Sequence, residues 1–316
     1  MSRTEQHAEA TGYRTPPDET PGSQPSASVP ANRQKLGTLV IGATAGGPAV
    51  VTIWQGMREF FRGSPVEIDF VLYSNYPRMT DALLSGHIDI AWNLNLAWAQ
   101  TVRLTTGRCR ALAMRDTDLA FKSIVVARAG AGLTGLDDLR GRRIALGYHD
   151  SAQAAILPLH YLHHAGLPAD QLVVLRPETG FGVVDADAPL QNLAEAPYSD
   201  PHGEAAAVSA VRAGHADAAV IGQRHWEQIA SRPGGPDLEI VWETPPYPHC
   251  IFTALDTIDE TLVDAWLDRL YQMDWDNPQH RPLMELEWVH RWVPPVTAGY
   301  DSLFTAITEQ EVPTTW

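Results

Sequence analysis

The sequence predicts an α/β protein of two halves, each a mostly parallel sheet flanked by helices, with a cleft between the halves. Two observations carry that prediction. Short apolar runs of strand length alternate with amphipathic stretches of helix length along most of the chain. The stretch LLSGHIDIAW at 83–92 also returns as VRAGHADAAV at 211–220. Each copy reads as a helix end, a Gly that stops the helix in the left-handed region, then His, a spacer, Asp and a buried strand. The same unit made twice implies two similar lobes, and it directs the search for function to the space between them.

The elements follow in order. KLGTLVIGATAGG (35–47) reads as a buried strand entering a Gly-rich turn, and PAVVTIWQGMREFF (48–61) as a helix with Pro48 near its first turn. VEIDFVLY (66–73) alternates like a strand, YPRMTDALLSG (76–86) is helical, and HIDIAWNLN (87–95) is the next strand. Two further runs lie in 108–130, the second a long strand leaving the first half. The pattern then restarts with a helical turn, the tight RGRR turn, the strand RIALG, a polar loop and a helix. LVVLRP is a strand, HGEAAAVSAVRAG a helix and HADAAVIG a strand. LEIVWETPPYPHCIFTAL (238–255) reads as two strands split by a Pro-rich bend, a return crossing. DETLVDAWLDRLYQM is an amphipathic helix, and the Trp-rich tail packs a final helix. The domain reading is a disordered segment 1–36, lobe one from 37–125 plus 250–316, and lobe two from 126–249. The connection 179–203 is long enough to expect a functional role.

Composition excludes some classes. A formal net charge of −15 argues against nonspecific nucleic-acid binding, so no nucleic acid is expected as a partner. The first 36 residues are rich in Pro, Ser, Thr and acids and lack an apolar stretch of signal-peptide length. No other run is long enough to span a membrane. The expectation is therefore a cytoplasmic protein, with a membrane permease as partner only if the chain is exported. Cys109 and Cys250 are read as free thiols, and no cofactor is called for.

GLDDLRGRRIALG (135–147), the following HDSAQAAILPLHYLHHAGL (149–167) and the two echoes together resemble the type II periplasmic-binding-protein fold. More narrowly, they resemble the substrate-binding proteins of phosphonate, phosphite and sulfonate importers. The resemblance runs from about residue 37 to 300. It implies two lobes joined by crossing strands and closing over a small anionic solute. Some cytosolic enzymes share the fold, among them the futalosine-pathway enzymes of menaquinone synthesis, so a lyase or dehydratase acting on a small biosynthetic intermediate is the alternative.

The candidate ligand site gathers loops at strand ends. In LGYHDSAQAAIL, Asp150 or Ser151 suits an N-cap, leaving backbone N–H groups for an anion, with Tyr148, Ser151 and Gln153 adding polar side chains. The matching first-half turn GATAGGP brings Thr44 and Gly46, as a binding turn or a plain tight turn. Tyr73 and Ser74 follow the second strand, and Asn93 and Asn95 the third. Glu204 heads a helix, where it serves the helix dipole or an amine on the ligand. Gln223 and His225 end the second echo strand, next to Arg224, the more direct anion partner by chemistry, which strand alternation turns away from the cleft. For an enzyme, His149 with Asp150 and His249 with Cys250 are the catalytic candidates, as a proton-transfer pair and an activated thiol. His160, His163 and His164 have helical i, i+3, i+4 spacing, but no HExxH glutamate follows and no carboxylate or Cys partner is evident. A half-exposed helix face is expected there, and no metal.

Overall fold

The computed structural model describes residues 35–47, 49–182, 200, 202–234 and 236–313. The segment expected to be disordered, 1–36, lies outside the described residues apart from its last two. So do Pro48 and most of the long connection 179–203.

The strands are β1 (Gly37–Thr44), β2 (Val66–Tyr73), β3 (Ile90–Asn93), β4 (Cys109–Ala111), β5 (Met114–Arg115), β6 (Ser123–Arg128), β7 (Arg143–Ala145), β8 (Val173–Leu175), β9 (Ala218–Gly222), β10 (Leu238–Glu243), β11 (Ile251–Leu255) and β12 (Trp292–Val293). The helices are α1 (Val50–Phe61), α2 (Tyr76–Leu84), α3 (Asn95–Leu104), α4 (Leu157–His164), α5 (Glu204–Ala213), α6 (Gln223–Ala230), α7 (Glu260–Leu270), α8 (Arg281–Glu287) and α9 (Asp301–Glu309).

Two five-stranded sheets carry the chain, in the orders β2-β1-β3-β11-β4 and β8-β7-β9-β6-β10. The orders correspond position by position. In each sheet the fourth strand, β11 or β6, runs antiparallel to both neighbours, and the other four share one direction. β6 enters the second sheet from the first half, and β11 enters the first from the second. The change of sheet falls before Ser123 and after Glu243, so β6 lies wholly in the second sheet and is not divided at residue 125. The two connecting segments meet at a single antiparallel bridge, Phe121 with Tyr247, whose N–H groups each donate to the other's carbonyl at 3.0 and 2.9 Å.

The echo has a physical explanation. Gly86 and Gly214 both have φ in the left-handed region, 71° and 79°, and each ends a helix. Three residues later an Asp latches the strand that pairs in parallel with its own, β1 or β7. Asp89 donates its N–H to the Val40 carbonyl at 2.8 Å, and its Oδ2 accepts from the Val40 N–H at 2.7 Å. Asp217 does the same with Arg143, at 2.8 and 2.9 Å. The repeated phrase is a strand clamp rather than part of a ligand site.

Strand alternation splits each sheet into two apolar faces. In β6, Ile124 and Val126 pack with Ala207 and Val211 of α5, whereas Val125 and Ala127 pack with Leu162 of α4. The first sheet buries Leu39, Ile41 and Phe252 against Trp54 and Phe61 of α1 and Trp266 of α7, and its other face against Met79 and Leu83 of α2. A separate cluster joins the halves: Trp98 of α3, Phe121, Ile156, Tyr247, Ile251 and Leu303 of α9. Among the described residues no helix is long and apolar enough to cross a membrane.

Candidate functional site

The strand ends and the connecting segments bring together a buried polar chain that passes from one sheet to the other. It starts at Glu287, at the end of α8, whose Oε2 accepts from Arg115 Nη1 at 3.1 Å. Arg115 on β5 then forms a two-pronged pair with Asp118, at 2.6 and 3.0 Å. Asp118 Oδ1 lies 3.3 Å from His249 Nδ1. His249 Nε2 meets Gln153 Oε1 at 2.5 Å, Gln153 Nε2 donates to Glu204 Oε1 at 2.8 Å, and Glu204 Oε2 lies 3.3 Å from His225 Nδ1. Asp118, Gln153, Glu204 and His249 are all buried. The Phe121 ring covers the His249 ring at 4.1 Å and 14°.

Charge in this chain is balanced by neighbours. Burial works against the Asp118 carboxylate, but Arg115 outweighs it, so Asp118 stays ionised. Burial likewise opposes the Glu204 charge, and the hydrogen bond from His225 leads the contacts that bring it below the usual range. Burial lowers His249 despite Asp118, so the imidazole is neutral at pH 7. Gln153 Oε1 can only accept, so Nε2 carries the proton. Nδ1 faces both the Asp118 carboxylate, at 3.3 Å, and the Cys250 thiol, at 3.1 Å.

That arrangement argues against the catalytic pair. Burial pushes the Cys250 thiol far up, so it is held protonated. Asp118 and Cys250 also address the same ring nitrogen, so no relay from acid through imidazole to thiol exists. His149 is exposed, and neither it nor Asp150 joins the chain. Cys109 and Cys250 are free, as expected.

Ser151 does cap the helix start, its Oγ accepting from the Ala154 N–H at 3.2 Å. The first turn is a π-helix, Ala152–Ile156, which runs into α4. The N–H groups of Ala152 and Gln153 find no acceptor among the described residues. Tyr148, just before them in the loop, gives its N–H to the His202 carbonyl at 3.0 Å. This meeting of two loops requires bare backbone. A Cβ on Gly147 would stand 2.0 Å from the His202 oxygen, and one on Gly203, at φ 75°, would stand 3.1 Å from the Tyr148 nitrogen.

The other predicted residues divide. Thr44 lies close to Tyr76, a residue not singled out from the sequence, whose hydroxyl burial raises. Gly46 gives its N–H to the Thr44 carbonyl at 2.9 Å, which makes this a tight turn. Tyr73 is half-buried at the end of β2, and Ser74 is exposed. Asn93 Nδ2 donates to Thr253 Oγ1 at 3.0 Å, leaving Oδ1 unpartnered, and Asn95 keeps an unpartnered Nδ2. Gln223 bonds Glu227 on its own helix at 2.9 Å and stays out of the chain.

Sequence reading missed Arg115, Asp118, Glu287 and Trp288. It set Arg224 aside because of strand alternation, but β9 ends at Gly222 and Arg224 belongs to the first turn of α6. Its guanidinium stands 5.0 Å over the Trp288 ring and takes no hydrogen bond or ion pair among the described residues. Burial, and then the charge of Arg115, lower it to about 10, so it remains a cation. The available signal was an Arg-x-x-Asp pair within an otherwise apolar run.

Residues 48–300 match the family described as the ABC transporter phosphonate periplasmic substrate-binding protein. The chain belongs to this phosphonate-binding family. It is 21% identical over 258 residues to a probable ABC transporter phosphite binding protein, PhnD1, of Prochlorococcus marinus, covering 78% of this chain and 80% of that one. The solved structure of PhnD1 from Prochlorococcus marinus in complex with methylphosphonate superposes with a TM-score of 0.66 at 18% identity, covering 87% of this chain and 98% of that one. The periplasmic aliphatic sulphonate binding protein SsuA from Escherichia coli gives 0.60 at 15% identity, with 87% and 88% covered. Both share the type II periplasmic-binding-protein fold expected from the sequence. As a member of the phosphonate-binding family, the chain binds a small anionic solute, and the lyase or dehydratase alternative has no support. The cytoplasmic expectation is overturned: the phosphonate-binding family is a periplasmic one, and membership outweighs the composition of the first 36 residues.

Proposed function

We propose that the chain captures a tetrahedral oxyanion of the phosphonate or phosphite class between the strand ends of its two sheets and delivers it to a membrane permease. The observation that carries this reading is Arg224, a half-buried cation without an anionic partner among the described residues. A bound oxyanion supplies the missing charge. The N–H groups of Ala152 and Gln153, at the start of a helix, are suited to the same ligand. Tyr73, Tyr148, Asn93 and Asn95 are the polar wall, and Gln153, Glu204, His225 and His249 hold the second-half loops in place. The two lobes, expected as 37–125 plus 250–316 and 126–249 and here with the first boundary moved to residue 123 so that β6 stays whole, close about the Phe121–Tyr247 bridge to admit and trap the ligand.

The test is calorimetric titration with methylphosphonate, phosphite, phosphate and methanesulfonate. Methylphosphonate or phosphite should bind most tightly. Arg224→Gln should weaken binding by about 10- to 100-fold, the worth of a charge-assisted hydrogen bond. Preference for methanesulfonate would refute the ligand class, and unchanged affinity in Arg224→Gln would refute the assigned contact.

A further inference from the structure

The histidine-rich face of α4 gains from the fold what the sequence did not offer. His160 and His164, four residues apart, leave the helix on one side. Glu309, the last residue of α9, stands against both. Its Oε2 lies 2.7 Å from His160 Nδ1 and its Oε1 lies 3.1 Å from His164 Nε2. The two rings are 4.4 Å apart, and one donor atom from each residue lies within 4.8 Å of the others.

We infer that His160, His164 and Glu309 form a site for a divalent transition cation of the Zn2+ class. Two imidazoles and a carboxylate suit that class, and three protein ligands leave a fourth position for water. His160 is buried and fixes one side of the site, whereas the His164 side chain is 53% exposed and leaves a path from solvent. The site is separate from the buried polar chain. The other group of three donors, Asp118 with His249 and Cys250, is less suited: Arg115 already occupies Asp118, and the thiol is held protonated.

The cation clamps two helices. Gln310 Nε2 donates to the Ile156 carbonyl at 2.8 Å, beside α4, while Arg103 of α3 donates to Thr308 Oγ1 at 2.8 Å. α9 therefore leans on a helix from each half, and the cation fixes its contact with α4.

The test uses the full chain freed of metal, titrated with Zn2+ by calorimetry and with Co2+ by its visible absorption. One equivalent should bind and raise Tm. His164→Ala and Glu309→Gln should each weaken binding about ten-fold or more and abolish the Tm rise, whereas His163→Ala should change neither. His164 is exposed and Gln keeps the shape of Glu, so both variants should fold, which circular dichroism checks. Failure of the wild-type chain to bind, or equal binding by wild type and both variants, overturns the assignment.

Discussion

The two halves share their scaffold and differ in what they present. Asp89 and Asp217 latch equivalent strands with the same pair of hydrogen bonds, and Gly86 and Gly214 end equivalent helices. Past the strand ends the likeness stops. The first half offers a tight turn at Thr44 and an aromatic group in which Trp92 packs on Phe252 at 4.4 Å and on Trp292 at 5.7 Å. The second half offers capped amides, Glu204, Arg224 and His225. The repeat thus encodes how a half is built, and the ligand chemistry is written in the unrepeated loops.

The largest effect should come from Gly147→Ala. Its Cβ meets a backbone carbonyl, which cannot move as a flexible side chain can. Urea unfolding should show a loss of about 2–3 kcal/mol, with weaker anion binding. Gly46→Ala, at the corresponding turn of the first half, meets only Thr44 Oγ1 at 3.9 Å and should cost much less. Equal losses would break the contrast between the two turns.

Asp89→Ala and Asp217→Ala should each cost about 1.5–3 kcal/mol, since each removes a carboxylate from a backbone N–H. Asp217 also pairs with Arg143 at 2.7 Å, but that pair is partly exposed and adds at most about 1 kcal/mol. A large difference between the two losses would show that the echo is not one device used twice.

The third prediction concerns pH. His249 is neutral when buried, and its folded pKa lies below its ordinary value. Such a group contributes stability in full above about pH 6.5, and the contribution is lost as pH falls further. Tm should drop between pH 7 and 5, and the drop should be shallower in His249→Gln. An identical slope would remove His249 as the source. The smallest effect is expected for Cys250→Ala, which should leave anion affinity within about two-fold because the thiol addresses only the His249 ring. A marked loss would bring Cys250 into the site.

Much of the fold was legible because its signals are local. Apolar period, Gly stops and the Pro-rich bend between β10 and β11 all lie within one element or one turn. Ser151, Gln153 and Glu204 were legible as helix starts, whereas Gln223 and His225, read as a strand end, lie in the first turn of α6. Arg115 was not, since its partners are Asp118 in the same run and Glu287, 172 residues away. Glu309 was hidden for the same reason, 145 residues from His164. Strand alternation also misdirected the reading of Arg224, because the strand stops two residues earlier.

One placement has a bearing on biosynthesis. β11 sits between β3 and β4, yet it is made after every strand of the second sheet. As the chain leaves the ribosome, the second sheet can close once residue 243 has emerged, whereas the first waits for residue 255 with an exposed edge on β3. The half that is started first is therefore finished last, and a stall between these points leaves the amino-terminal half as the one open to proteases and to mispairing.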